Sequence, residues 1–430
     1  MITGTTVSRA FPLGSRLNER GVLEVGGCDT LELAREFGTP AYVVAEDDLR
    51  ARARAFLGAA RASGRADVQI VFASKAFPCT AVLALFAAEG LWCDAASGGE
   101  LHLALAAGFA PERIVLHGNA KSEAELRMAL RHRVGTIVID NFDEIERLRT
   151  LIADGVLADR GAEGQPVLLR VTPDVRGDTH EKISTGQADS KFGFSMEAAA
   201  AAIERVGEIP GLALHGLHAH IGSQLLELDP FTRAARQLAG LGDFPVLDIG
   251  GGLGVQYTED QPAPPSIEDY VGALVGGVAA GGLPAASRLL IEPGRALCAN
   301  AAVTLYTVES VKQNVSRWVA VDGGMSDNLR PMLYGARYEA ELVDRFGGST
   351  ECRLAGKHCE SGDVIVAQAR LEDPRPGDVV VTPVTGAYGY AMANNYNGVP
   401  RPPVIFCREG EARVVVRRES FEDLTARDVG

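Results

Sequence analysis

Several residue types that mark common classes of protein are scarce or scattered in this sequence. The seven cysteines form no CxxC pair, and tryptophan occurs twice in 430 residues. No zinc site built on paired cysteines is therefore expected, and scattered cysteines in odd number are typical of a reducing compartment. They lie at positions 28, 79, 93, 298, 352, 359 and 407.

Long apolar runs are also missing. The first residues contain no apolar segment of the kind that directs secretion. The longest uncharged apolar stretch, residues 271–287, is rich in glycine and alanine and contains Pro284, which makes it unsuited to span a membrane. We expect a cytoplasmic protein that makes no membrane contact.

Basic residues are outnumbered by acidic ones. Lys+Arg total 42 against 56 for Asp+Glu, which gives a net charge of −14. A surface of this sign repels phosphate backbones, so no nucleic-acid partner is expected. With 46% hydrophobic and 23% charged residues, the composition is that of a globular chain, and the length indicates about two domains.

Lysine is rare among the basic residues. Only six of the 42 are lysine, so chemistry that needs an amine nucleophile has few candidates. They are Lys75, Lys121, Lys182, Lys191, Lys312 and Lys357.

Short runs rich in Val, Ile and Leu alternate with longer Ala/Leu/Glu-rich segments from residue 68 to 293. The composition of the runs is typical of strands buried on both faces, and the segments between them have helical character. Eight such units fit a TIM-like (β/α)8 barrel, with a doubly wound open sheet as the alternative. The runs are 68–74, 91–96, 113–117, 136–140, 167–171, 212–220, 245–250 and 288–293.

The character of the chain changes near residue 300. Strand-like segments such as AVTLYTVESV and DVVVTPV follow, and helical segments become scarce. We predict an α/β barrel domain over residues 41–297 and a β-rich domain, a sandwich or barrel, formed by residues 1–40 and 298–430.

Lys75 directly follows the first predicted strand. A lysine that ends a buried run must either extend to solvent or react, and desolvation makes its amine nucleophilic enough for a Schiff base. Asp94 lies inside the second run, where a structural salt bridge is the competing interpretation. The polar stretch from Thr172 to Ser195, after the fifth run, receives no assignment.

The last three runs end in further polar groups. The sixth carries His218 and His220, which point to one side of a strand. A metal pair is one interpretation. The other is that one histidine packs while its neighbour stacks on a ligand, and we expect no metal because histidine is scarce. The seventh run ends in Gly250, Gly251 and Gly252, where backbone N–H groups can approach an anion. The eighth contains Glu292 at its end and is followed by Gly294 and Arg295.

These strand ends fit a single ligand. It carries a phosphate for the glycines with Gly294 or Arg295, an aldehyde for Lys75, an aromatic ring for a histidine and a ring nitrogen for Glu292. Pyridoxal 5′-phosphate has all four parts. A carboxylate at the pyridine nitrogen keeps that nitrogen protonated, which favours carbanion chemistry.

Nearly the whole chain resembles the fold type III pyridoxal-phosphate decarboxylases. The motifs that carry the resemblance occur in order along the sequence, so chance agreement is implausible. The fold type implies an alanine-racemase-like barrel and a second β-domain. The motifs are FASKAF, CDAASGGEL, ERIVLHGNAKS, STGQADSKFGFS, GLHAHIGSQ, LDIGGGLGVQY, IEPGRAL, VAVDGGMSDNLRPMLYGARY, GKHCESGDVI and TGAYGYAMANNYN.

The resemblance implies a role for each matching position around the cofactor. Lys75 would form the Schiff base with pyridoxal 5′-phosphate and Asp94 would lie near it. His220 would stack on the ring and Glu292 would bond its nitrogen. The phosphate would be bound by Ser223, Gly250, Gly251, Gly252, Gly294, Arg295 and Tyr388.

The resemblance also implies a substrate and a partner. Arg295, Arg330 and Tyr334 would bind a distal carboxylate, bordered by Tyr388, and Glu360 would bind the distal amine. Cys359 would be the acid that protonates the carbanion. In this family a homodimer shares its active sites, and Cys359 and Glu360 come from the other subunit.

The implied reaction is loss of CO2 from meso-2,6-diaminopimelate to give L-lysine, the last step of lysine biosynthesis. Two arginines suit a dicarboxylic substrate, because arginine and carboxylate pair through two parallel hydrogen bonds. The alternative is a related decarboxylase that acts on ornithine, D-lysine or carboxynorspermidine.

Overall fold

The computed structural model describes residues 7–157, 164–173 and 190–430. Residues 174–189 of the unassigned polar stretch lie outside the described residues. In the described ranges the strands are β1 (Arg16–Leu17), β2 (Leu23–Val25), β3 (Cys28–Asp29), β4 (Ala41–Ala45), β5 (Val68–Ala73), β6 (Trp92–Ala95), β7 (Ile114–Leu116), β8 (Thr136–Ile139), β9 (Gln165–Thr172), β10 (Phe194–Ser195), β11 (Leu212–His218), β12 (Val246–Asp248), β13 (Arg288–Ile291), β14 (Ala302–Gln313), β15 (Arg317–Val321), β16 (Glu341–Leu342), β17 (Thr350–Ala355), β18 (Val364–Leu371), β19 (Val379–Pro383), β20 (Val404–Arg408) and β21 (Glu411–Val416).

The helices of the same ranges alternate with the strands through the middle of the chain. They are α1 (Thr30–Phe37), α2 (Glu46–Ala62), α3 (Thr80–Glu89), α4 (Gly98–Ala106), α5 (Glu123–His132), α6 (Phe142–Ala153), α7 (Met196–Gly207), α8 (Asp229–Ala239), α9 (Ile267–Ala280), α10 (Arg295–Cys298), α11 (Arg330–Tyr334), α12 (Gly389–Met392) and α13 (Phe421–Thr425). None of these helices is both long enough and apolar enough to cross a membrane.

Two compact units are present. Arg52–Gly254 and Pro264–Gly294 form the barrel unit, whereas residues up to Ala51, Val255–Ala263 and Arg295–Gly430 form the β-rich unit.

A closed parallel barrel forms the core of the first unit. Within the described residues its eight strands run in the order β5-β6-β7-β8-β9-β11-β12-β13, and the pairing of β13 with β5 closes the ring. The predicted TIM-like barrel is therefore confirmed, and the open doubly wound sheet is excluded. All eight predicted runs coincide with these strands.

The barrel interior is filled by branched side chains from five of its strands. Val71, Val115, Val138, Leu168 and Leu290 form one fully buried cluster. Side chains at the centre of a barrel of this size leave no channel, so ligands can bind only at its ends.

Local capping fixes where the barrel helices begin. The hydroxyl of Ser122 accepts from the N–H of Glu125, whose carboxylate accepts from the N–H of Ser122 in return, and this capping box starts α5. Asn141 starts α6 by accepting from the N–H of Glu144. Each cap lies after a strand, so it also determines the length of the loop at the strand's carboxyl end.

The β-rich unit is built around the long strand β14. It pairs antiparallel with β15, β19 and β4, and β4 pairs in parallel with β20. The buried core includes Val43, Val303, Leu305, Val381 and Ile405. These alternating apolar residues explain the predicted β-rich character of the chain beyond residue 300.

Candidate cofactor and substrate site

Lys75 lies at the end of β5, in a short turn formed by Ser74–Ala76. Its Nζ atom is 3.8 Å from Oδ2 of Asp94, and its side chain is 46% exposed. Asp94 is buried in β6. Burial raises the pKa of Asp94 to about 6, although His117 and Lys75 oppose the shift. The structure therefore presents an accessible amine beside a buried carboxylate.

The glycine run follows β12 and cannot carry side chains. A Cβ on Gly251 would lie 2.0 Å from the carbonyl oxygen of Glu292, and a Cβ on Gly250 would lie 2.6 Å from that of Ala219. The backbone at Gly252 has φ of +125°, which also favours glycine. The run thus packs directly on the backbone that follows the neighbouring strands.

The glycine run also orients His220. The N–H of Gly251 donates to Nδ1 of His220 at 3.2 Å, so this nitrogen carries no proton. Burial lowers the pKa of His220 well below its usual range, and the charges of Lys75 and Arg170 add to the effect. A neutral ring in a fixed orientation is suited to stacking on an aromatic ligand.

Glu292 follows β13 and is buried between two histidines. Nε2 of His117 lies 2.7 Å from Oε1 of Glu292, at ion-pair distance but without the alignment of a hydrogen bond. Nε2 of His218 lies 3.4 Å from Oε2. Burial opposes ionisation of Glu292, but these histidines outweigh it and hold its pKa well below the usual range.

Asp248 is the second carboxyl group of this cluster. Burial raises its pKa well above the usual range, and the charge of Glu292 reinforces the shift. Its Oδ1 accepts from the N–H of Gly250 at 2.9 Å. The two adjacent buried carboxyl groups therefore differ, because burial favours the protonated form of Asp248 while the histidines favour the anion of Glu292.

The same cluster has the donor set of a metal site. The ligand atoms of His117, His218, Asp248 and Glu292 all lie within 4.8 Å of one another. Elemental analysis of the purified protein would detect an ion held there.

The barrel residues fit pyridoxal 5′-phosphate. Lys75 offers an amine for its aldehyde, and Oε1 of Glu292 keeps its capacity to accept an N–H from the ring. Gly294 lies beside the end of β5, where a Cβ would meet that of Ala73 at 3.0 Å. Ser223 lies in the loop after β11, half-buried.

The β-rich unit contains the residues predicted for the substrate. Arg295 begins α10 and Arg330 begins α11, and both are 5% exposed. The guanidinium carbon of Arg295 lies 4.8 Å from the centre of the Tyr388 ring. Tyr334 ends α11 and is half-buried. The structure thus brings Arg295 and Tyr388 together, whereas their roles stay predictions.

Cys359 and Glu360 lie on an exposed turn of the β-rich unit. The N–H of Cys359 donates to Oδ1 of Asn397 at 2.9 Å. The turn is anchored by buried His358, whose Nδ1 lies 2.7 Å from Oδ2 of Asp363. All seven cysteines lie in the described ranges, and Cys359 alone is exposed.

Sequence reasoning missed three groups of this site. In the sequence His117 is only the last residue of the predicted run 113–117, and His218 is only the neighbour of His220, yet both contact Glu292. Tyr257 was quoted only within a motif, although Arg295 donates a hydrogen bond to its hydroxyl. The only signal for the histidines was their position at the ends of two barrel strands.

The barrel and its strand-end groups define a cofactor-dependent enzyme, and a family model specifies the cofactor. The model is described as the pyridoxal binding domain of pyridoxal-dependent decarboxylases, and it matches residues 47–299.

Comparison with full-length relatives shows which decarboxylases the chain resembles. The chain is 45% identical to the diaminopimelate decarboxylase of Bacillus subtilis, covering 96% of this chain and 97% of that protein. It is 47% identical to that of Actinosynnema pretiosum, covering 97% and 95%. A solved diaminopimelate decarboxylase of M. jannaschii, in complex with L-lysine, matches with a TM-score of 0.89 and 30% identity, covering 97% and 98%. The chain therefore belongs to the pyridoxal-dependent decarboxylases, a family of lyases, and within them to the diaminopimelate decarboxylases.

Proposed function

We propose that this chain removes CO2 from the D-configured centre of meso-2,6-diaminopimelate and releases L-lysine, the last step of lysine biosynthesis. The observation that carries the proposal is a pair of buried arginines, Arg295 and Arg330, in the β-rich unit. Guanidinium groups bind carboxylates through two parallel hydrogen bonds, so this pair of arginines suits a substrate with a second carboxylate. The names of the full-length relatives support the same substrate.

The cofactor we propose is pyridoxal 5′-phosphate, which supplies an electron sink for the bond that breaks. Lys75 would hold it covalently, with Asp94 beside the amine. Glu292 would keep the ring nitrogen protonated, and His220 would support one face of the ring. The phosphate would be bound by Ser223, Gly250, Gly251, Gly252, Gly294, Arg295 and Tyr388.

We assign the proton transfer that completes the reaction to Cys359. The bond between the α-carbon and its carboxylate breaks, and the electron pair remains on the side of the α-carbon. The thiol of Cys359 then delivers its proton to that carbon, so the products are CO2 and an amino acid with one carboxylate. Arg295, Arg330, Tyr334 and Tyr388 would hold the distal carboxylate, and Glu360 the distal amine.

We further propose a homodimer in which each subunit completes the site of the other. Cys359 and Glu360 are exposed on the single chain, which supports this arrangement because residues that serve a partner's site must be accessible. Free cysteines at all seven positions are consistent with work in the reducing cytoplasm.

The test of this function is CO2 release by the purified holoenzyme from meso-diaminopimelate, L-ornithine, D-lysine and carboxynorspermidine. We expect at least about 10⁴-fold preference in kcat/KM for the first, since the other three lack the second carboxylate that a site built for it would bind. A higher kcat/KM for any of the other three would overturn the substrate assignment.

A further inference from the structure

Tyrosine hydroxyls hold both buried arginines of the β-rich unit. Nη1 of Arg330 donates to the hydroxyl of Tyr338 at 2.6 Å, and Nη1 of Arg295 donates to the hydroxyl of Tyr257. Both tyrosines are less than 5% exposed. An arginine side chain has many rotamers, so these contacts select one orientation for each guanidinium group.

The tyrosine rings restrain the same two groups from their faces. The guanidinium carbon of Arg330 lies 4.7 Å from the centre of the Tyr257 ring, and that of Arg295 lies 5.7 Å from it. The rings of Tyr257 and Tyr338 meet edge to face, with centroids 5.2 Å apart. Tyr257 therefore touches both arginines and links their positions.

The hydrogen-bonding partner of Arg330 is neutral. In residues 7–157, 164–173 and 190–430, no carboxylate lies within ion-pair distance of its guanidinium group, and its neighbours are tyrosines. Burial raises the pKa of Tyr338 to about 12, although Arg330 opposes the shift, so the phenol keeps its proton at neutral pH. A carboxylate in this place would orient the arginine and also cancel its charge, whereas a phenol orients it and leaves the charge available.

We propose that Tyr338 and Tyr257 are specificity-determining positioning residues, which orient Arg330 and Arg295 for bidentate binding of the second carboxylate of a dicarboxylic amino acid. The inference deepens the proposed function and rests on it. The tyrosines act through the arginines, so they affect only those ligands that carry the distal carboxylate.

The test compares ligands with and without that carboxylate. In the holoenzymes of Tyr338→Phe and Tyr257→Phe, which keep the ring and lose the hydroxyl, we expect the KM for meso-diaminopimelate to rise about 10-fold. This is the effect of one lost hydrogen bond to a charged group. The inhibition constant of L-lysine should rise equally, while kcat and the inhibition constant of cadaverine, which lacks the carboxylate, change less than about twofold.

Tyr270→Phe is the matched control. Tyr270 is a fully buried tyrosine of α9 whose hydroxyl has no hydrogen-bond partner in the described residues. Removal of this hydroxyl should leave the KM, kcat and both inhibition constants unchanged.

Each remaining outcome is decisive. The positioning role would be overturned if all constants stayed unchanged in both tyrosine variants. It would also be overturned if the inhibition constants of L-lysine and cadaverine rose equally. In either case, turnover of meso-diaminopimelate by the wild-type enzyme would still uphold the proposed function. A wild-type enzyme that releases no CO2 from meso-diaminopimelate would overturn both. If Tyr338→Phe does not fold, Tyr257→Phe carries the same test.

Discussion

Nε2 of His117 lies 2.7 Å from Oε1 of Glu292, inside the carboxyl end of the barrel. The histidine comes from the end of β7 and the acid from the end of β13. Because the carboxylate is buried, its anionic form depends on such partners. The contact therefore favours the anionic form of Glu292, which is the form that our proposal requires at the ring nitrogen.

Replacing Glu292 by glutamine should show how much of its effect comes from its negative charge, because the two side chains have nearly the same shape. We expect Glu292→Gln to keep the visible absorption of the bound cofactor but to lose about 10²-fold in kcat, the typical effect of removing one preorganised electrostatic partner. The measurements are an absorption spectrum and steady-state CO2 release.

Asp248→Asn is the control for that prediction. The raised pKa of Asp248 favours its neutral form, which an asparagine resembles. An asparagine oxygen can also still accept from the N–H of Gly250. We expect activity within about threefold of wild type. A loss as large as that of Glu292→Gln would contradict the division of roles between the two carboxyl groups.

Lys75→Ala should abolish the covalent link to the cofactor. We expect loss of the visible band, no labelling of the chain by borohydride, and a fall in kcat of about 10³-fold or more, as is usual when a covalent catalyst is removed. Lys312→Ala, an exposed lysine of β14, should behave as wild type. A band that persists in the Lys75 variant would refute the assignment.

Cys359→Ala tests the proton donor. The variant should retain the visible band, because we place the thiol away from the cofactor's covalent link, while kcat falls by about 10²-fold, within the range of general acid catalysis. Cys352→Ala, which alters a buried cysteine, is the comparison. Unchanged turnover in Cys359→Ala would remove the thiol from the mechanism.

Mixing two inactive variants tests the shared site. A heterodimer of Lys75→Ala and Glu360→Ala contains one site with both wild-type residues if Glu360 serves the partner. We expect activity to return to at most about a quarter of wild type after statistical mixing, since half of the dimers are mixed and each has one intact site of two. A verified mixed dimer without activity would place both residues in the same subunit's site.

Stability should depend on pH through Glu341 in β16. Burial raises its pKa to about 7, although the N–H of Gly347 opposes the shift. The folded state then binds a proton that the unfolded chain releases near pH 4.5, so this carboxyl costs stability progressively as pH rises from about 4.5 to 7. Relative to wild type, Glu341→Gln should gain on the order of 1–2 kcal/mol of unfolding free energy above pH 7 and nothing near pH 4.

Denaturant unfolding across that pH range gives the measurement. Glu36→Gln alters an exposed glutamate of α1 and serves as the control. A gain that is the same at every pH would show that titration of Glu341 is not its source.

The barrel could be predicted from the sequence because its strands are buried on both faces and therefore appear in the sequence as apolar runs. The helical character predicted between the runs is also observed, for example in Thr80–Glu89 between β5 and β6. Strand Ala41–Ala45 was not predicted, because a single five-residue run before a helix has no periodic context. Its pairing with β14 and β20 depends on contacts distant in sequence.

The site could be predicted where one residue has a recognisable local setting, such as Lys75 after a strand or the glycines after β12. The partners of Glu292 could not, because His117 and His218 come from other strands and only the closure of the barrel brings them together. Tyr338 is a similar case, since nothing in the sequence distinguishes a tyrosine that orients an arginine from one that fills a core.

The carbonyl of Glu292 occupies the space that any side chain at position 251 would need. The glycine turn and the backbone of Glu292 are thus in direct contact, although they are far apart in the sequence. A side chain at position 251 would push away the backbone of Glu292, so one substitution there would disturb the glycine turn and the acid together.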